Sequence, residues 1–135
     1  MELKSKCESL DTNIILRIVL DGNRAQKATA IKLVLAHRKS FFIDDSVVSE
    51  CVYVLEKIGY SRKDISGMLV PLFQNKIFLI NHHIFDQVFP FYLEHPSLSF
   101  EDCYLNFRIA EKHATPLWTF DKKFANQSTV AKIPK

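Results

Sequence analysis

At 135 residues the chain is sized for a single domain, 1–135, because a domain of this length buries roughly two-thirds of its unfolded surface and so builds a proper core. Hydrophobic residues at 47%, charged residues at 24% and 11 Phe exclude a disordered chain and predict a bulky interior. A net charge of +3 is too mild to announce a nucleic-acid binder by itself, the apolar runs are too short to span a bilayer, and no secretory leader pattern opens the sequence, so a cytoplasmic protein with no membrane partner is expected.

Short apolar runs alternate with longer helical patterns, which predicts βα units around a mostly parallel sheet. The first strand is expected over about residues 6–10, although "KCESL" is poor strand material. "NIILRIVL" fits either helix or strand, and "NRAQKATAIKLVLAHRKS" reads as a helix with Ala28, Ile31 and Leu35 on one apolar face. "SFFI" (40–43) is the second strand, and "DDS" (44–46) offers N-cap oxygens to a helix that carries Glu50. "SRKDISGMLVPLF" opens on the capping-box spacing of Ser61 and Asp64 and is expected to kink at Pro71. "KIFLI" (76–80) is a third strand. The helix after "NHH" holds Pro90 and stops by Pro96, and a further helix begins near Ser99. "PLWTF" is expected as a buried strand ending at Asp121, and "TVAKI" as an edge strand. Tyr53, Phe85, Phe89 and Phe91 are assigned mostly to core, with part of the stripe left to bind a partner helix or a second subunit, His82 and His83 to structural roles because adjacent helical side chains diverge, and Cys7, Cys51 and Cys103 to reduced, mostly buried thiols.

In open α/β sheets ligands bind beyond the carboxyl ends of the strands, where loops converge and helix N-termini point. Asp11 and Asp121 close the first strand and "PLWTF", so they face one crevice if those strands are sheet neighbours. Glu50 follows Val47 by three residues and precedes Val54 by four, on the apolar side of its helix or at its edge; Asp102, with Leu105 and Ile109 on its side, is also directed inward. Each acid has an ordinary reading as well: Asx turns for Asp11 and Asp121, a solvated helix border for Glu50, a capping box with Ser99 for Asp102. Four acids from four segments, turned inward or to one end of a sheet, argue for a shared site.

"LDTNIILR", "SVVSECVYVLEKIGYSRKDI", "LSFEDCYL" and "LWTFDKKFA", in that order over nearly the whole chain, resemble the four acidic motifs of the PIN-domain family, specifically its bacterial VapC-like toxin branch. The resemblance implies an α/β fold: a three-layer α/β/α sandwich on a mostly parallel, four- to five-stranded sheet. It implies a Mg²⁺- or Mn²⁺-dependent endoribonuclease, the toxin of a type II toxin–antitoxin pair, held inactive by a small VapB-like antitoxin and assembled as a homodimer. By position, Asp11, Glu50, Asp102 and Asp121 become the metal-binding, catalytic acids, with Thr12, Asn13 and Thr119 as supporting polar residues.

The residue types suit that chemistry. Hard divalent cations prefer carboxylate and water oxygens, whereas zinc or copper would recruit His and Cys. Crowded carboxylates repel one another and become tolerable mainly around a cation. One or two such ions turn water into hydroxide and stabilise the attacking and leaving oxygens of an in-line phosphodiester cleavage. No nucleophilic side chain is then needed, in keeping with the lack of a Ser/His/Asp or Cys/His arrangement and, with only 3 Gly, of a phosphate-cradling loop. Arg17, Arg108, Lys122 and Lys123 are candidate phosphate contacts for an RNA substrate, expected to be a short unpaired segment of a structured RNA. Three rivals fit less well. A haloacid-dehalogenase-like phosphatase wants Asp-x-Asp where residue 13 is Asn, and a receiver domain wants its acids after the first strand, whereas Asp44 and Asp45 follow the second. A catalytically silent PIN-like module binding RNA or protein would have no use for four intact acids.

Overall fold

The computed structural model describes residues 7–36 and 40–135; the expected strand onset at Lys6 and the helical tail at 37–39 lie outside the described residues. The chain divides into two compact units, Met1–Asn81 and His82–Lys135.

The first unit contains β1 (Glu8–Ser9), α1 (Thr12–Val19), α2 (Arg24–Ala36), β2 (Phe41–Phe42), α3 (Asp45–Ile58), α4 (Arg62–Phe73) and β3 (Phe78–Leu79). Its sheet has the order β1-β2-β3 with both pairs parallel, Glu8 opposite Phe41 and Phe41 opposite Phe78. The ladder continues past the strand ends, because Leu10 N–H donates to the Phe42 carbonyl at 3.0 Å and Ile43 N–H to the Leu79 carbonyl at 3.0 Å. Buried Leu10, Phe41, Ile43 and Phe78 supply the apolar contacts that these short strands need.

"NIILRIVL" resolves as helix. Asp11 caps it in extended conformation, and Thr12, Ile15 and Leu16 are buried at the i, i+3, i+4 spacing of one helical face. The face of α2 differs from expectation: Ala30 and Val34 are buried, while Ala28 is exposed, Ile31 half-buried and Leu35 76% exposed. Lys27 shows why. Its Nζ donates to the Ile18 and Leu20 carbonyls at 2.7 and 3.3 Å and pairs with Asp21 at 3.2 Å, closing the C-terminus of α1. That hook turns the face shared by Lys27, Ala30 and Val34 towards α1.

Helix α3 starts where expected, Asp44 Oδ2 accepting from the Ser46 amide at 3.0 Å and its hydroxyl at 2.6 Å. It buries Val48, Cys51, Val52 and Leu55 and ends at Gly59, whose left-handed φ of 118° lets its amide reach the Leu55 and Glu56 carbonyls. Tyr53 is a correction: it points to solvent, with Lys57 Nζ 5.6 Å from its ring centroid. Ser61 caps α4 by accepting from the Asp64 amide at 3.1 Å, and the helix continues through Pro71 to Phe73.

The second unit contains α5 (His82–Glu94), α6 (Phe100–Lys112), β4 (Leu117–Trp118), α7 (Lys122–Gln127) and β5 (Ala131–Lys132). Helices α5 and α6 pack through aromatic rings, with Phe100 5.2 Å from Phe89 and 5.1 Å from Tyr92 between centroids, so Phe85 and Phe89 are core as expected. Buried Asn106 of α6 accepts from the Ser128 hydroxyl and, at 3.1 Å, from the Thr129 amide, tying α6 to the segment before β5. "TVAKI" does supply a strand, and β5 pairs in parallel with β4, Leu117 opposite Ala131.

One expectation about "PLWTF" fails. Leu117 is half-buried and Trp118 and Phe120 are exposed, so the strand is not a core strand. Among the described residues β4 pairs with β5, and β1 with β2. Among the described residues the five strands, all parallel, fall into a three-stranded and a two-stranded sheet. Polar β1 and solvent-facing β4 lack the apolar sides that a central strand requires. Cys51 and Cys103 are buried thiols as expected, whereas Cys7 is exposed. Among the described residues no helix is long and apolar enough to cross a membrane.

Candidate active site

Asp11 and Glu50 belong to segments far apart in sequence, and Thr12 joins them. The Thr12 side chain is buried, and its hydroxyl donates to Glu50 Oε1 at 2.9 Å across 38 residues. Asp11 Oδ1 accepts from the Thr12 amide at 2.7 Å, so one residue holds both carboxylates. Both are solvent-exposed, and in each the second oxygen carries no hydrogen bond among the described residues. Glu50 thus sits at the border of its helix, beside the buried face of Cys51 and Val52. The Cys51 thiol registers this setting: burial first, then the nearby Glu50 and Asp11 charges, push it up to about 12. It stays protonated and apolar, unsuited to be a nucleophile.

Asn13, exposed on α1, and Arg17, one turn further, line a groove of about 370 Å³ between α1 and α2 with Gln26 and Thr29. The Arg17 Nε donates to Gln26 Oε1, which holds the guanidinium at the groove.

In the second unit, Asp102 is half-buried in the first turn of α6, where its amide donates to Ser99 Oγ at 3.0 Å. It lies one helical turn before Asn106 and shares that residue's face. Asp121 Oδ1 caps α7 by accepting from the Phe124 amide at 3.1 Å, and Thr119 Oγ1 in turn accepts from the Asp121 amide at 2.9 Å. Thr119 thus holds the backbone at Asp121. Arg108 is paired with Glu111 at 3.0 Å, while Lys122 and Lys123 are exposed at the start of α7. His82 and His83 pair separately, with Asp86 at 3.2 Å and Glu111 at 3.8 Å, in keeping with divergent structural roles.

The ordinary roles weighed for the acids are present: Asp11 and Asp121 cap helices, Asp102 follows a capping serine, and Glu50 borders a helix. The two caps each use one carboxylate oxygen, Oδ1 of Asp11 and Oδ1 of Asp121, and both of those residues are exposed. Carboxylates are hard oxygen donors, the type that magnesium-like ions prefer. Among the described residues no group of three or more His, Cys, Asp or Glu side chains is close enough together to hold a metal ion. Sequence reading missed the Thr12 hydroxyl as the link to Glu50, and it missed Asn106, whose signal was a polar residue in register with buried Phe100 and Cys103 on α6.

Among curated proteins, none matches the chain. The family model described as PIN domain matches residues 9–129, a span that includes all four acids. PIN domains are generally metal-dependent nucleases, so the match supports a nuclease role and a nucleic-acid substrate, and the α/β chain with parallel strands is consistent with a three-layer α/β/α PIN-like fold. Covering most of the sequence, that match establishes that the chain belongs to the PIN domain family.

Proposed function

We propose that this chain, as a single nuclease domain, is a Mg²⁺- or Mn²⁺-dependent endoribonuclease and the toxin of a toxin–antitoxin pair, with Asp11, Glu50, Asp102 and Asp121 as its metal-holding acids. The observation that carries the reading is the bond from buried Thr12 to Glu50, which gathers the first two acidic motifs from positions 38 residues apart. A bound divalent ion would supply a Lewis acid that lowers the pKa of water and neutralises phosphate charge. The chain's own contribution is positioning. Thr12 aims Glu50, the α1 cap orients Asp11, and the Thr119 bond sets the backbone from which Asp121 projects. Lys122, Lys123 and Arg17 are placed for phosphate contacts, Arg17 at the α1–α2 groove. Arg108 reaches a phosphate only by leaving Glu111. The toxin role, a small VapB-like antitoxin and a homodimer follow from the likeness of the four motifs to the VapC-like branch.

The test is incubation with structured RNAs in Mg²⁺ or Mn²⁺ and in chelator, comparing the native chain with Asp11→Asn and Asp102→Asn. Metal-dependent cutting that both substitutions abolish supports the reading. Cutting that survives both, or phosphate released from small monoesters, removes it.

A further inference from the structure

Trp118 and Phe120 are 61% and 84% exposed, while Thr119 between them is half-buried and bonded back to the Asp121 amide. Two of the chain's largest apolar side chains therefore project outward from one short segment beside a candidate catalytic acid. The pairing of β4 with β5 adds charge, because Lys132 is the register partner of Trp118 and residues in register on neighbouring strands share a face. Lys132 is exposed, as are Lys122 and Lys123 just beyond Asp121. Those two lysines open α7, where the helix dipole disfavours cations, so helix stability does not explain them.

Exposed rings flanked by cations match one ligand chemistry well: unstacked nucleobases whose faces lie on aromatic side chains while their phosphates meet lysines. We infer that Trp118 and Phe120, with Lys132, Lys122 and Lys123, form a stacking platform for single-stranded nucleic acid, delivering unpaired RNA to the acid at residue 121. This deepens the nuclease reading and rests on it for the identity of the ligand. Duplex bases, already stacked on each other, offer no faces to such a platform, so the surface selects unpaired segments.

The chain's only tryptophan is Trp118, so its emission reports the platform directly. The full chain carrying Asp11→Asn is titrated in chelator with a labelled 2′-O-methyl single-stranded octanucleotide and with the same sequence as a duplex, following label anisotropy and tryptophan emission together. Expected are quenching of Trp118 on single-strand binding, weaker duplex binding, a loss of roughly tenfold in affinity with Phe120→Ala, the scale of one lost base stack, and retention with Phe120→Tyr. Because both rings are exposed, the variants keep the fold, which circular dichroism verifies. No single-strand binding, binding without a change in Trp118 emission, or unchanged affinity in Trp118→Ala with Phe120→Ala overturns the platform. So does sedimentation showing that the native chain self-associates through this face while the double variant is monomeric and binds the oligonucleotide normally. Cutting assays separate the two readings: a chain that binds through the platform but never cuts keeps the platform and loses the nuclease, and one that cuts while ignoring both ring substitutions does the reverse.

Discussion

Thr12 is a small residue with two obligations, since its amide holds Asp11 and its hydroxyl holds Glu50. Thr12→Val keeps shape and burial but removes the donor. Glu50 is exposed and water replaces the lost bond, so the stability cost is only about 1 kcal/mol. The Mn²⁺-supported cutting rate is expected to fall about tenfold, as for residues that orient a metal ligand, and a manganese titration beside a thermal melt separates the two effects. Asp44 makes a different prediction. The Ser46 hydroxyl and then the Ser46 amide hold its carboxyl below the ordinary 3.8. A folded-state value below the unfolded one means that the stabilisation is present above pH 3.8 and is lost as pH falls through the lower folded value. Asp44→Ala should therefore cost about 1 kcal/mol near neutral pH, the usual worth of such a cap, and the gap from the native chain should close in strong acid; urea denaturation at both pH values checks it. The four acids stand out in the sequence as charged groups beside apolar residues, whereas the Thr12 bond is a contact across 38 residues and has no local trace.

Helix ends carry their instructions locally, and α3, α4 and α6 begin where those instructions predict. Asp44, Ser61 and Ser99 each accept from an amide two or three residues ahead, a bond that needs no tertiary contact. The two left-handed C-caps differ in residue type, Gly59 at φ 118° and His113 at φ 54°. Gly59→Ala should destabilise by about 1 kcal/mol, since a Cβ meets no neighbour there but opposes the backbone conformation. His113→Gly should stabilise by up to about 1 kcal/mol for the opposite reason, so denaturation of the two variants should shift in opposite directions. The inner face of α2 was not legible in the same way. Apolar residues lie around much of that helix, and the hook of Lys27 onto the end of α1 chooses among them.

At the scale of the whole molecule, the proposed role of the carboxylates predicts a link between stability and metal. If the acids hold a divalent cation, Mg²⁺ or Mn²⁺ should raise the melting temperature of the native chain, by an amount equal to about 2.7 kcal/mol when the ion is at 100 times its dissociation constant. Asp11→Asn preserves a good helix cap and removes one of two neighbouring negative charges, so without metal it should melt no lower than the native chain. With metal, its upward shift should shrink; a full shift in this variant would remove Asp11 from the metal-holding set.

By itself, the sequence determined where α3, α4 and α6 start, that the runs at 41–42 and 78–79 become strands, and which family the order of acids resembles. These depend on bonds within a few residues or on side-chain types at given intervals. Tertiary structure alone decided that β4 pairs with β5 and faces solvent with Trp118 and Phe120, that α2 turns Ala30 and Val34 inward, and that Thr12 binds Glu50. Each of those outcomes is a competition between segments for the same partner or the same buried area, and no stretch of a few residues contains both competitors.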